Sequence, residues 1–347
     1  MKKIELMLLL VLLMLSASCA SDYYYVCSDF SNYPENGGRT VYFEDSTEIR
    51  CFENKGWDVA KAGEPSGFAG SEDIGKMQNF RYMAAFKGSM DSATVFFVAY
   101  DAREDFRKTF KWLTTEYEYR AVFPQCDLPA APIEDYLDEE DRNIWLRGEG
   151  INPAVSGYEL MYRLDDINEK FIKWYNCSYF DFNCSLFSDY VGKRRADSIM
   201  LGKNDILSEM TADGFDVMEP AEFGKLLDNY YGGTYYSDLY AANRAVLDSL
   251  FRACDDRVKD YFEKYLYFSV KMPGRIVATN ARIHDVNSVT WYMYPIRMLD
   301  GPVEITAVSR KVNVWACVVT ALGAGVLVFF PVSAAVSKKR KKKSRTF

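Results

Sequence analysis

The sequence predicts an α+β protein: an antiparallel sheet built from N- and C-terminal strands, a central helical region, and one C-terminal transmembrane helix. Three observations carry that prediction. Apolar and polar residues alternate over short runs in the first third and again after Lys264; between these regions apolar residues recur at intervals of three and four; and from Val312 to Val336 no charge interrupts the chain. Alternation is the side-chain period of a strand with one covered face, and three-four spacing is the stripe of a helix. An uncharged run of that length is long enough for lipid.

The early strands are read from "RTVYF", "TEIRCF", "FRYMAAFKGSM", "ATVFFVAYDA" and "DFRKTFKWLTTEYEYRAVF". In the last of these Phe106, Thr109, Phe110 and Trp112 mix the two faces, whereas Tyr117 and Tyr119 alternate cleanly. Gly88 and the pair Asp91-Ser92 mark a hairpin.

The region 134–262 is mainly helical. Leu160, Leu164, Ile167, Phe171 and Trp174 line one face of a helix ending near Tyr175. Glu219-Pro220 opens another through Tyr230, proline being tolerated in a first turn. Leu247, Phe251, Cys254, Val258 and Phe262 outline a third. Asp138, with Asp141 three residues later and Ile144, Trp145 and Leu146 beyond, reads as a helix N-cap with acids placed against the positive end of the dipole. "GGTYYSD" from Gly232 reads as a turn. Period two then returns in "YLYFSVKM", "RIVATN", "SVTWYMYP" and "VEITAVS", with Leu266, Phe268, Val270 and Met272 on one side.

Both ends carry membrane addresses. Lys2 and Lys3 precede the apolar run Leu6–Leu15, and small residues follow, so residues 1–20 read as a signal peptide. As a helix, that run reaches about 15 Å, half of a hydrocarbon core. Leu15-Ser16-Ala17-Ser18-Cys19 resembles a bacterial lipobox and makes Cys19 the candidate lipidation site, although the leucine stands four residues before the cysteine where three is usual. Ordinary cleavage after Ala20 is the alternative. At the other end, residues 312–336 span about 37 Å as a helix. Seven of the ten residues in the tail, 338–347, are basic, which places the tail in the cytoplasm and the ectodomain, 22–309, outside it, periplasmic or extracellular. The lipid bilayer is thus the first expected partner.

The ectodomain carries 31 basic and 48 acidic side chains, a net charge of −17. Such a body repels phosphate backbones, which argues against nucleic acid as its ligand. Its aromatic residues, drawn from 23 Phe, 25 Tyr and 6 Trp, supply core and sheet and suit a sugar- or peptide-binding surface. Cys27, Cys51, Cys126, Cys177, Cys184 and Cys254 form an even set in an exported segment and are disulfide candidates, with Cys27–Cys51 and Cys177–Cys184 as the local pairings.

No motif carries chemistry. Zinc would need C-x-x-C units or local histidines; His284, beside Asp285 in a turn between strands, is the one histidine and reads as an exposed loop residue. "DYLDEEDRN" lacks the alternating ligands and glycine of a calcium loop. There is no P-loop and no G-x-G-x-x-G, so no metal or cofactor is expected and no catalytic residue is nominated. The expected function is non-enzymatic: binding or bracing another envelope component, a protein or a glycan. The alternative is an envelope hydrolase acting on cell-wall glycan or peptide, which requires a pocket holding two carboxylates about 5–10 Å apart.

"FRKTFKWLTTEYEYRAVFP", "PIEDYLDEEDRNIWLRGEG" and "LDDINEKFIKWYN", followed by "MPGRIVATN", "SVTW" and "ITAVSRKVNVWA", resemble a group of bacterial envelope lipoproteins of the Bacteroidota type. The last segment is similar to the membrane-proximal domain of LppM-type proteins. The resemblance implies an envelope origin and this topology. Its motifs are aromatic and turn residues, so no catalytic residue is carried over.

Overall fold

Two sheets, rather than one, take up the alternating segments. The computed structural model describes residues 22–32, 36–86, 102–128, 130–149, 157–208 and 218–343. Its strands are β1 (Asp22–Asn32), β2 (Asn36–Phe43), β3 (Asp58–Lys61), β4 (Tyr82–Phe86), β5 (Arg103–Lys111), β6 (Thr114–Phe123), β7 (Lys264–Lys271), β8 (Arg275–Thr279), β9 (Ile283–His284), β10 (Ser288–Met293) and β11 (Val303–Val312). Seven form a sheet in the order β3-β4-β2-β1-β7-β10-β9, and four form a second in the order β5-β6-β11-β8. The α+β class holds, and each sheet combines early with late strands. The signal segment with Cys19, the Gly88 and Asp91-Ser92 hairpin, nearly all of "ATVFFVAYDA" and residues 344–347 lie outside the described residues.

The larger sheet departs from the expected antiparallel pattern at its centre. Strands β1 and β7 run parallel, from Asp22 opposite Lys264 to Asp29 opposite Lys271. Strand β1 has no clean alternation because both its faces are covered: Tyr24 and Val26 enter one core, Tyr25 and Cys27 another. "TEIRCF" is helical, not a strand. Asp45 accepts from Thr47 N at 2.8 Å and starts a 3-10 turn that continues into α1 (Ile49–Asn54), where Phe52 alone is buried.

The sheets face each other across one core. Val41, Phe43, Leu266, Phe268 and Val270 from the larger sheet meet Tyr117, Tyr119, Phe123, Ile305 and Ala307 from the smaller. Inside this layer Arg39 on β2 is 2% exposed and donates to both carboxylate oxygens of Glu104 on β5, at 2.7 and 2.6 Å. Its Nε donates to Ser28 Oγ at 2.9 Å, and Tyr119 Oη donates to Glu104 at 2.8 Å. The late strands pass back and forth between the sheets: β7, β9 and β10 belong to the larger, β8 and β11 to the smaller. The step from β7 to β8 passes through Gly274, at φ +81°, where an added Cβ would stand 2.4 Å from the Arg310 carbonyl oxygen.

The remaining helices are α2 (Ser71–Met77), α3 (Glu139–Trp145), α4 (Gly157–Val191), α5 (Lys193–Leu201), α6 (Lys203–Ser208), α7 (Pro220–Tyr231), α8 (Tyr235–Glu263) and α9 (Val314–Lys343). Helix α4 runs well past Tyr175, because Phe180, Cys184, Phe187 and Val191 continue the buried stripe of Ile167, Phe171 and Trp174. Asp138 caps α3 as expected, accepting from Asp141 N at 2.8 Å. Asp141 then turns inward and pairs with Arg163 at 2.6 Å and Lys170 at 2.9 Å on α4. Helix α9 contains a 20-residue apolar stretch, Val314–Ser333, of which 6% is buried; it is long and apolar enough to cross a membrane, unlike a core helix.

Glu104→Ala leaves Arg39, 2% exposed, in the apolar layer without the Glu104 carboxylate. Urea unfolding is expected to show a loss of about 3 kcal/mol, whereas Arg39→Met combined with Glu104→Leu recovers most of it. Equal losses in the single and double variants would contradict this account.

Candidate functional site

The residues singled out by sequence do not converge. Cys27, Cys177 and Cys184 are buried, Cys126 and Cys254 half-buried and Cys51 exposed, and none of the six is disulfide-bonded in the structure. The two local pairings fail for geometric reasons. Cys177 and Cys184 lie seven residues apart on α4, about 10 Å along the axis, beyond the reach of a disulfide. Cys27 points into a closed cluster with Tyr25, Ile74 and Tyr267, while Cys51 lies at the surface on α1. Burial pushes the Cys126 and Cys184 thiols up to about 12 and the Cys254 thiol up to about 11.

His284 is exposed at the two-residue strand β9. Among the described residues no group of three or more His, Cys, Asp or Glu side chains converges as a metal would require. Carboxylates do gather on the smaller sheet, where Asp105, Glu118 and Glu304 border a shallow recess of about 190 Å³ with Arg107 and Arg120. Two of the three are engaged there: Arg120 holds Glu304 at 2.6 Å and Arg107 holds Asp105 at 2.7 Å. The hydrogen bonds from Arg120 keep the Glu304 carboxyl below its ordinary range, opposite to the shift that a general acid needs.

A larger concavity than this recess lies in the helical region. It is a cleft of about 660 Å³ lined by Val191, Lys193, Arg195, Ser198, Tyr231 and Tyr235 among others, and a second hollow of about 500 Å³ adjoins it along Arg194, Asp197 and Leu201. Two glycine turns build it. Gly192, at φ +77°, reverses the chain between α4 and α5, and Gly232-Gly233, both at positive φ, do so between α7 and α8. A satellite core of Phe187, Ile199, Phe223 and Leu227 holds the two turns side by side.

The polar geometry fixes the walls. The Asp228 carboxylate accepts from Tyr236 N at 2.8 Å and Ser237 N at 2.9 Å, pinning the start of α8. Tyr231 Oη donates to the Ser198 carbonyl at 2.9 Å and ties α7 to α5. The Arg195 guanidinium lies 4.0 Å from the centre of the Tyr235 ring, and Tyr235 packs edge-on against Tyr236 at 5.1 Å. Burial raises the Tyr236 phenol above its ordinary value, so it remains a neutral donor.

Charge sets this cleft apart. Lys193, Arg194 and Arg195 are the one run of three cations in residues 22–309, and none has a carboxylate partner among the described residues. They occupy the first turn of α5, where the helix dipole favours acids; α3, by contrast, places Glu139, Glu140 and Asp141 there. Two of the α5 amides, Arg195 N and Ala196 N, are already spent on the Gly192 carbonyl, each at 3.1 Å. The arrangement can hold an anion by charge and stack a flat or sugar-like ring on tyrosine. Sequence reading passed over it, taking "GGTYYSD" as a plain turn; the available signal was a cationic triplet directly after a glycine in an acidic body.

No protein-family model matches the chain, and no curated protein or solved structure is similar to it.

At pH 8 in the native state, iodoacetamide is expected to modify Cys51 rapidly and the other five of these cysteines slowly or not at all. Denaturation without reductant should release all six as titratable thiols; three disulfides would release none.

Proposed function

We propose that this chain is a single-pass membrane protein of the bacterial envelope that binds an anionic envelope component, an acidic glycan, in the cleft between Gly192 and Tyr236, without chemical turnover. The observation carrying this reading is the triplet Lys193-Arg194-Arg195, without a carboxylate partner among the described residues, at the mouth of an aromatic cleft on an otherwise acidic body. Three cations against a helix N-terminus work against stability by about 0.3–1 kcal/mol each, and a bound anion reverses that sign. Tyr235 beneath Arg195 offers a face on which a sugar ring can stack. The hydrolase alternative ranks second, because two of the three carboxylates of the recess on the smaller sheet, Asp105 and Glu304, are already held by Arg107 and Arg120.

In this reading α9 spans the membrane, the basic tail lies in the cytoplasm and the body lies outside, as the positive-inside rule favours. A lipid on Cys19 would add a second attachment three residues before β1, holding that strand within about 10 Å of a leaflet. The resemblance to Bacteroidota-type lipoproteins supports the same placement.

Binding is tested with a uronic-acid glycan and the purified full chain. Charge reversal of the triplet, Lys193→Glu, Arg194→Glu and Arg195→Glu together, is expected to weaken binding at least tenfold, while Tyr235→Ala weakens it roughly two- to fivefold, the worth of an exposed cation–π contact. Glycan cleavage by the wild type, or unchanged affinity in the triple variant, would overturn the proposal. Orientation is read separately: protease added to spheroplasts should degrade the body and leave the basic tail intact.

A further inference from the structure

The β5–β6 hairpin breaks the rules of its own turn. Lys111 pairs with Thr114, so the loop is two residues long, Trp112 and Leu113. Such loops favour Asn-Gly or Gly at left-handed φ, yet among the described residues no non-glycine residue has positive φ. The tip instead carries large apolar side chains into the open: Phe110 is 57% exposed, Trp112 51% and Leu113 46%. A turn facing water has no use for them.

Their neighbour is the start of the apolar helix. Strand β11 pairs with β6 until Val312 stands opposite Thr114, so α9 begins beside the hairpin tip. Asn313, between strand and helix, donates from its side chain to the Lys111 and Trp112 carbonyls at 3.0 and 3.1 Å. Its Oδ1 accepts from Thr115 Oγ1 at 2.8 Å, and its backbone amide donates to the Leu113 carbonyl at 2.9 Å. Trp112 Nε1 donates to Thr320 Oγ1 at 2.8 Å. Thr320 lies six residues into α9, about 9 Å along its axis, so the indole sits well below the start of the helix. Trp315 stacks on Phe110 and meets Trp112 edge-on at 5.3 Å.

We infer that the hairpin tip is a second membrane contact: Phe110, Trp112 and Leu113 insert beside α9 into the leaflet nearest the body and, with Trp315, form an aromatic collar at the acyl–headgroup boundary. The inference rests on reading α9 as a membrane span. Tryptophan suits this depth, its ring in the acyl boundary and its N–H satisfied, here by Thr320. Lys108, Lys111, Arg310 and Lys311 lie just behind the tip at headgroup height, with Glu116 shared between Lys111 and Arg310. Two contacts joined by Asn313 fix the tilt of the smaller sheet against the bilayer, where a lone helix on a flexible stalk would leave the body free to swing.

The test uses the full chain carrying Cys51→Ser and Cys317→Ser, reconstituted in phosphatidylcholine–phosphatidylglycerol vesicles, with a nitroxide at Leu113→Cys, Leu322→Cys or Arg107→Cys in turn. The labels at 113 and 322 are expected to be accessible to oxygen and shielded from aqueous nickel several-fold relative to 107. A label at 113 that behaves like 107 while 322 stays in lipid overturns the collar and leaves the span intact; a label at 322 in water overturns both. Unlabelled Trp112→Phe gives an independent reading. Quenching of intrinsic fluorescence by brominated lipid should fall clearly in this variant, and an unchanged value counts against insertion.

Discussion

The facing of the two sheets is the constraint on which everything else depends, and the Arg39–Glu104 contact is its most demanding point. A guanidinium removed from water must have its donors met: Ser28 meets the Nε from the neighbouring strand β1, and both oxygens of Glu104 meet an Nη across the layer. Tyr119, whose phenol burial keeps protonated, supplies the remaining donor to Glu104. Such a group contributes less to net stability than apolar residues of the same volume would. What it adds is registration, since β2 and β5 satisfy their charges in one relative position and leave them stranded in others.

Registration matters because the smaller sheet carries the apolar helix α9 with almost no slack. One residue, Asn313, separates the end of β11 from the start of α9, and its amide is consumed by the carbonyls of the neighbouring hairpin. A side-chain amide can do this where an apolar residue cannot: it closes the strand end and the turn, while the Asn313 carbonyl accepts from Ala316 N and Cys317 N in the first helical turn. Pro273-Gly274 does the corresponding work inside the sandwich, letting the chain cross between sheets while Ser309 Oγ donates to the Pro273 carbonyl at 2.7 Å.

How much of this was legible in sequence depends on what each segment packs against. The late strands could be read because one face of each meets the core; Leu266, Phe268, Val270 and Met272 all lie in it as their spacing requires. Helix α7 could be read from Glu219-Pro220, and Asp138 from the acids behind it. Strand β1 could not, because a strand covered on both faces loses its period. The serial cysteines of α4 suggested a small cross-linked loop, whereas Phe180, Phe187 and Val191 continue a helical stripe through them. The mixed faces of "DFRKTFKW" belong to a hairpin whose tip is apolar for reasons outside the sheet. The cleft was hidden because its walls come from two turns about forty residues apart, and periodicity carries no information about turns.

Both candidate surfaces coincide with local conflicts, cations at a helix start and Trp-Leu in a two-residue turn, which is where function most often overrides local preference. Electrostatics reconciles the first with an ectodomain of net charge −17. At an ionic strength near 0.1 M charges are screened beyond about 10 Å, so an anion already at the cleft meets Lys193, Arg194 and Arg195 rather than the distant acids of the body. Long-range attraction is correspondingly poor, and free anionic polymer gains no steering from bulk solution. Such a site suits a ligand that confinement brings within reach, and the placement proposed above, at a membrane surface beside the components of an envelope, would satisfy that condition without a basic face.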